Sequence, residues 1–394
     1  MPRTLPLWAL LLAVLVFPRA ARAEDDEPSL LGKKLSEWLT ILKEDKDVNR
    51  RRGALKAAEL IGPRKSKKVV PAVNAALRDD PDDRIREAAA LSLGRMVGPI
   101  AQKGEEGETF PFGPVRAVLI AALRTDKSGR VRAAAARALG QLEGEARDAV
   151  GVLAGALKDK HADTRTAAAD ALCRIGDRGA EEALPELQQA LRDKNLESLT
   201  RVHAVRAVGR IGEKGLPALP ALKEVLADPK TPPDVRKAAA ESLGQLGKDA
   251  ADAAPLLGTT LTARGSDREL RRAAAAALDQ FGADARPALP DLQKALKDDD
   301  KYVRCLAMHT LGQMGGELGA ERREVVTALL RCLDDNILEV RLAAVETFGM
   351  LGAEGLGEDA RAVTERLSEA ARNDGQKALR EAAVVALKKI KGGA

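Results

Sequence analysis

Metal or acid–base chemistry at neutral pH would have to rest on three histidines, His161, His203 and His309, or on three cysteines, Cys173, Cys305 and Cys332. A metal centre or a general base needs such groups to converge on one point. Each histidine falls in a different copy of the repeat described below. His203 and His309 also sit at different phases of their helical segments, two and five residues after a recurring arginine. A structural or solvent-facing role is expected for each. Three cysteines are too few, and odd in number, for a disulfide framework. Cys305 opens one segment and Cys332 closes the next, which leaves a bridge open on spacing. However, Cys332 takes a place where other copies bury alanine, so free thiols are expected. The sequence carries no nucleophile motif, phosphate-cradling glycine loop or paired acidic site distinguishable from surface charge. No catalytic, cofactor-binding or metal-binding residue is assigned.

The chemistry that does recur is arginine with aspartate at a fixed separation. Arginine stands at 51, 86, 132, 165, 201, 236, 271, 304, 341 and 380, and most gaps lie between 33 and 39 residues. Such regularity marks a repeat array, in which each unit needs only its neighbours to bury its apolar face. Six residues before the arginine comes Asp45, Asp80, Asp126, Asp159, Asp298, Asp335 or Asp374. The copies at Arg201 and Arg236 have Asn195 and Lys230 there, with Asp193 and Asp228 two residues earlier. The copy at Arg271 has Gly265. A carboxylate here is expected to cap the following helix and to meet the arginine of its own or the next unit. The pairs Asp80/Arg86, Asp126/Arg132, Asp159/Arg165, Asp298/Arg304 and Asp335/Arg341 are therefore assigned to structure.

Two helical elements position these residues in each copy. After the arginine, small residues at +2, +3 and +6 and a large apolar residue at +7 define one helix face, as in Ala134, Ala135, Ala138 and Leu139. Glycine at +8 or +11 ends that helix or admits a close neighbour. The shorter preceding segment often opens at proline (Pro71, Pro185, Pro220, Pro255, Pro290), which a first helical turn tolerates. It continues through i, i+4 leucines such as Leu187/Leu191. Each copy is then an αα-hairpin. The composition agrees: aromatics are only 2%, so close approach through alanine and glycine must build the core.

The proline, aspartate and Val-Arg pattern on hairpins of about 35 residues resembles the HEAT-repeat family. Short Ala-rich units such as Asp159 through Leu172 are similar to the variety described in phycobilisome lyases. The resemblance covers roughly residues 35–391. It implies an all-α, right-handed α-solenoid of about ten antiparallel hairpins. It also places the second-helix positions +1, +5 and +9 on one exposed, concave stripe. That stripe carries Arg95, Arg137, Arg174, Arg206 and Arg210, the candidate partner-binding residues. HEAT-like deoxyhypusine hydroxylases bind iron through His-Glu pairs, but here Ala162, Ala204 and Thr310 follow the histidines.

Two places break the rhythm. Trp38 lies in the first helical segment and is expected to cap the array. A Gly/Pro-rich insert near 98–113 holds Phe110 and Phe112, which could form a binding protrusion or fold back over the hairpin edge.

The N-terminus reads as a signal peptide over residues 1–23: Arg3, an apolar run from Leu7 to Phe17, then Ala21-Arg22-Ala23. The run is far short of the roughly 20 residues that cross a bilayer. An acidic linker over 24–34 and the array over 35–394 follow. Cleavage would take three arginines and no acid from a net charge of +5, leaving +2. Such a balance, without interleaved aromatics, argues against nucleic acid as a partner. The expectation is an exported, non-enzymatic scaffold with no membrane span that binds protein partners. A lyase-like or hydroxylase-like enzyme or enzyme accessory is the alternative.

Overall fold

The computed structural model describes residues 27–61, 66–96, 111–263 and 265–392. The expected signal peptide and most of the insert, Phe110 included, lie outside them. Among the described residues, twenty α-helices form ten successive hairpins. The first five are α1 Leu35–Glu44 with α2 Val48–Ile61, α3 Ser66–Asp79 with α4 Asp83–Met96, α5 Phe112–Thr125 with α6 Gly129–Gln141, α7 Val150–Ala156 with α8 Ala162–Ile175, and α9 Leu184–Arg192 with α10 Ser198–Ile211. The second five are α11 Leu219–Ala227 with α12 Pro233–Gln245, α13 Ala254–Thr262 with α14 Arg268–Phe281, α15 Leu289–Ala295 with α16 Lys301–Met314, α17 Arg322–Cys332 with α18 Leu338–Leu356, and α19 Ala360–Asn373 with α20 Lys377–Gly392. Each even-numbered helix packs on its own odd partner and on the even helices before and after it. The result is an all-α solenoid.

Burial explains the alanine content. In α6, Ala134, Ala135, Ala136, Ala138 and Leu139 are all completely buried, because neighbours cover three sides of the helix. Leu139, Leu172, Leu243, Leu278 and Leu311 repeat at +7 with no exposed surface. Each contributes about 1.5–3 kcal/mol of apolar burial.

The two glycine positions have separate tasks. At +11, Gly176, Gly212, Gly247, Gly282, Gly315 and Gly352 have φ between 51° and 72° and end or kink the helix. At +8, glycine sets helix spacing. A Cβ added to Gly94, Gly140, Gly209 or Gly244 would lie 2.9–3.0 Å from a backbone Cα of the next even helix.

Two local expectations change. Pro185, Pro220, Pro255 and Pro290 lie in first helical turns. Pro71 instead lies inside α3, because that helix begins upstream at Ser66. The expected linker over 24–34 contains a small antiparallel hairpin, β1 Ser29–Leu30 with β2 Lys33–Lys34. Trp38 donates its Nε1–H to the Leu30 carbonyl at 3.1 Å, and Glu27 accepts from both the Ser36 N–H and hydroxyl. The first residues are thereby tied down over α1.

Phe112 begins α5, half-buried and packed against the core.

Candidate interaction surface

The repeated arginine links two hairpins at once. Arg132 donates Nε and Nη2 to the Asp159 carboxylate of the next hairpin at 2.7 and 2.8 Å. Its Nη1 donates to the carbonyl of its own Asp126 at 2.8 Å. The same arrangement joins Arg51 to Asp80, Arg86 to Asp126 and Arg271 to Asp298. Arg304 pairs with Asp335 at 3.2 Å and Arg341 with Asp374 at 3.8 Å. The planar two-pronged contacts of Arg51, Arg86, Arg132 and Arg271 are strong and directional, and those of Arg304 and Arg341 are looser.

Each aspartate also binds the N–H two residues on, as Asp126 does for Ser128 at 2.8 Å. Asp126 closes α5 rather than capping α6, whose own N-cap is Ser128. This corrects the expected role: the carboxylate fixes the turn and leaves its remaining capacity to the preceding arginine. Burial alone would raise the Asp126 and Asp159 carboxyls, but bonds from Arg86 and Arg132 and from the turn N–H groups hold both below the ordinary value.

The ladder has a gap. Asp193 and Asp228 close α9 and α11 as Asp45, Asp126 and Asp374 close α1, α5 and α19, so the two extra residues lengthen the turn after the acid. Arg165 takes Glu197 instead of Asp193. Arg201 makes no ion pair among the described residues; it donates Nη2 to the Leu191 carbonyl at 3.0 Å, and its Nε is buried without a partner. Burial pushes the Arg201 guanidinium below its ordinary value. Arg236, whose next hairpin has Gly265 at the aspartate's place in the sequence, makes no ion pair among the described residues and donates to the Leu226 carbonyl at 2.9 Å.

Positions +5 and +9 are open or half-open in every copy, whereas +1 ranges from exposed at Arg52 and Glu381 through half-buried in most copies to buried at Ala133 and Val202. Of the five arginines assigned to the stripe, three are engaged within the chain. Arg95 binds Glu59 at 2.6 Å, Arg174 binds Asp170 at 2.9 Å, and Arg206 reaches Glu241 at 3.4 Å. Arg137 on α6 and Arg210 on α10 are exposed and make no ion pair among the described residues. They are uncompensated cations of this face, as is Lys389 at +9 of α20.

Two polar clusters escaped the sequence reading. Glu59 and Asp279 occupy the +8 place that glycine fills elsewhere. Glu59 accepts from Lys56, Ser92 and Arg95 at 2.6–2.9 Å. Asp279 accepts from Thr310 at 3.2 Å and Gln313 at 3.1 Å and meets His309 Nδ1 at 2.6 Å. Helices α2/α4 and α14/α16, joined through these carboxylates, approach less closely than other even pairs. The departure from glycine at +8 was the available signal.

The remaining sulfur and imidazole groups stay dispersed. His161 precedes α8, with its ring against the Gly129 backbone. His203 is half-buried 3.6 Å from Asp170, and burial lowers its pKa. The cysteines are free; burial raises all three thiols, Cys332 to about 11. Among the described residues, no group of three or more His, Cys, Asp or Glu is arranged to hold a metal, and no helix is long and apolar enough to cross a membrane.

Comparison with known proteins agrees with this geometry. The family model "HEAT repeats" matches residues 35–103, 116–199, 196–278 and 259–349. Comparison by sequence with curated proteins finds no match. Among solved structures, importin β in an ammonium sulfate condition superposes with a TM-score of 0.62 at 18% identity, covering 91% of this chain and 51% of that one. Yeast importin-β (Kap95p) gives 0.58 at 18%, covering 91% and 50%. Karyopherin Kap121p, bound to the extreme C-terminus of the protein phosphatase Cdc14p, gives 0.57 at 19%, covering 90% and 42%. The chain thus spans about half of the length of these solenoids, or less, and the likeness is one of fold. By its repeats, its arginine–aspartate ladder and its architecture, this chain belongs to the HEAT-repeat family.

Proposed function

We propose that this chain is an exported, non-enzymatic scaffold that holds a protein partner on the exposed face of its even-numbered helices. The observation that carries the reading is the pair Arg137 and Arg210, exposed and uncompensated on a face where neighbouring arginines are occupied by the chain's own carboxylates. Cations so placed attract an acidic partner and orient it by complementarity. Similar solenoids solved with protein ligands, Kap121p with the Cdc14p C-terminus and Kap95 with Nup1, support a protein as the occupant. The basic, apolar and small-x-small pattern of residues 1–23 supports export.

The test is quantitative capture from cell-envelope extract by wild type and by the Arg137→Glu/Arg210→Glu double variant. A dominant partner held by the wild type should fall at least about tenfold in the variant, the loss of one or two interfacial charge contacts. Undiminished capture would remove this face from the binding role. Amino-terminal sequencing of the exported chain should begin near Glu24; an intact Met1 in all fractions overturns export. Stoichiometric iron or zinc in the purified protein would overturn the non-enzymatic reading.

A further inference from the structure

Gly155 lies on the exposed side of α7, four residues before the aspartate that closes the turn. Four other hairpins carry a long exposed side chain at that place, Gln189, Glu224, Lys294 and Arg331, whereas Ile41, Ala76, Ala122 and Ala370 stand there in the others that have the aspartate. Gly151, one turn earlier, leaves a second gap. A Cβ added to either glycine would meet nothing within 4 Å. The space these missing side chains leave between α5 and α7 is a groove of about 760 Å³. That volume is within the range of ligand clefts, about 300–1,000 Å³. Leu123, Val152 and Ala156 contribute apolar surface to it.

The charge along this groove is one-sided. Its three carboxylates are already matched: Asp126 by Arg86, Asp148 by Arg116 and Asp159 by Arg132. Arg124 and Lys160 also line it, exposed and without an ion pair among the described residues. Apolar surface beside two uncompensated cations suits a ligand that brings an aliphatic group and carboxylates together.

We infer that the α5/α7 groove is a docking site for an acidic peptide segment, which seats an aliphatic side chain against Leu123 and Val152 and its carboxylates on Arg124 and Lys160. The site is built on α5, α7 and the turns beside them, with Arg132 of α6 at its base, and Arg137 and Arg210 do not line it.

Fluorescence anisotropy of the full chain with a labelled peptide bearing one leucine between glutamate pairs tests this directly. Saturable binding is expected. It should weaken with salt, because the screening length falls from about 30 Å at 0.01 M to about 8 Å at 0.15 M. Gly155→Gln should restore the side chain that covers the groove elsewhere and weaken binding at least about fivefold. The fold should survive, since glutamine is the better helix former and the site is open. Arg124→Glu should weaken binding similarly, whereas Arg137→Glu/Arg210→Glu should bind the peptide as the wild type does. The assignment is overturned by undetectable binding to the wild type, by equal binding of a lysine-flanked peptide, or by undiminished binding to Gly155→Gln. Loss of binding only in the Arg137→Glu/Arg210→Glu variant would also overturn it and move the peptide to the even-numbered face.

Discussion

Gly140 of α6 faces Ala171 of α8 so closely that a Cβ on Gly140 would lie 2.9 Å from the Ala171 Cα. The contact is to backbone, so relief requires the two helices to part. Gly140→Val should therefore destabilise the array by about 1–3 kcal/mol through overpacking. Gly151→Ala on α7, where the same test finds open space, should stabilise it by about 0.5–1 kcal/mol through helix propensity. Urea denaturation of the two variants checks the opposite signs; equal effects would contradict the packing role assigned to Gly140.

The ladder predicts unequal consequences for two chemically identical arginines. Asp159→Ala leaves Arg132, buried at 7% exposure, without its carboxylate. The loss should approach about 3 kcal/mol, as when one member of a buried pair is removed. Arg201→Met removes a guanidinium that makes no ion pair among the described residues and has an orphaned Nε. It should be neutral or slightly stabilising. Thermal melts of both variants decide the matter, and a large loss in Arg201→Met would show that the backbone bond to Leu191 suffices to hold that joint.

Hydrogen exchange should follow the same gap. The joints after Arg201 and Arg236 lack the carboxylate link, whereas Arg271 is paired with Asp298. Amides of 226–236 should exchange faster than those of 298–304, since local opening tracks local coupling in a repeat array. The carboxylate link is thus missing on the N-terminal side of the Arg271 hairpin and present on its C-terminal side.

Acid should unfold the chain through its turn carboxylates. Asp126 and Asp159 have folded pKa values below their unfolded ones. The unfolded chain therefore binds more protons, and stability rises with pH across the interval between the two values. Their contribution should be complete above about pH 5 and fall away as pH drops through and below the unfolded value near 4. Asp126→Asn/Asp159→Asn should flatten the stability–pH slope in that window; an unchanged slope would remove these residues from the effect.

Thiol chemistry should be silent in the native state. Burial raises the Cys173, Cys305 and Cys332 thiols, and so depletes the reactive thiolate at neutral pH. A disulfide-exchange reagent at pH 7.5 should label none of them rapidly and all three after denaturation. Rapid native labelling, or a Cys305–Cys332 bridge on mass analysis, would contradict this.

The array itself was legible from the sequence. The spacing of arginine, aspartate and small residues repeats with the period of one hairpin, and a repeat buries its core only against copies of itself. Local chemistry was legible too: glycine at +11 ends helices and proline opens most of the odd ones. Contacts across the joints were not. Spacing alone aligned Arg201 and Arg236 with Asn195 and Lys230. Only the folded turn shows that Asp193 and Asp228 keep the closing place and that two inserted residues disengage them from the preceding arginine.

The candidate surface divided in the same way. Sequence placed Arg95, Arg137, Arg174, Arg206 and Arg210 on one side of successive helices, because helical period decides facing. Whether each charge stands free depends on a carboxylate one turn away or one helix away: Asp170 for Arg174, Glu59 for Arg95, Glu241 for Arg206, and none for Arg137 or Arg210. The groove beside Gly155 is likewise a property of two neighbouring helices. Sequence by itself determined the repeated hairpin, because periodicity and turn chemistry act within a few residues. The tertiary structure decided which charges are spent, which joints are clamped and where a cavity opens, because those depend on distances between side chains some thirty residues apart in the chain.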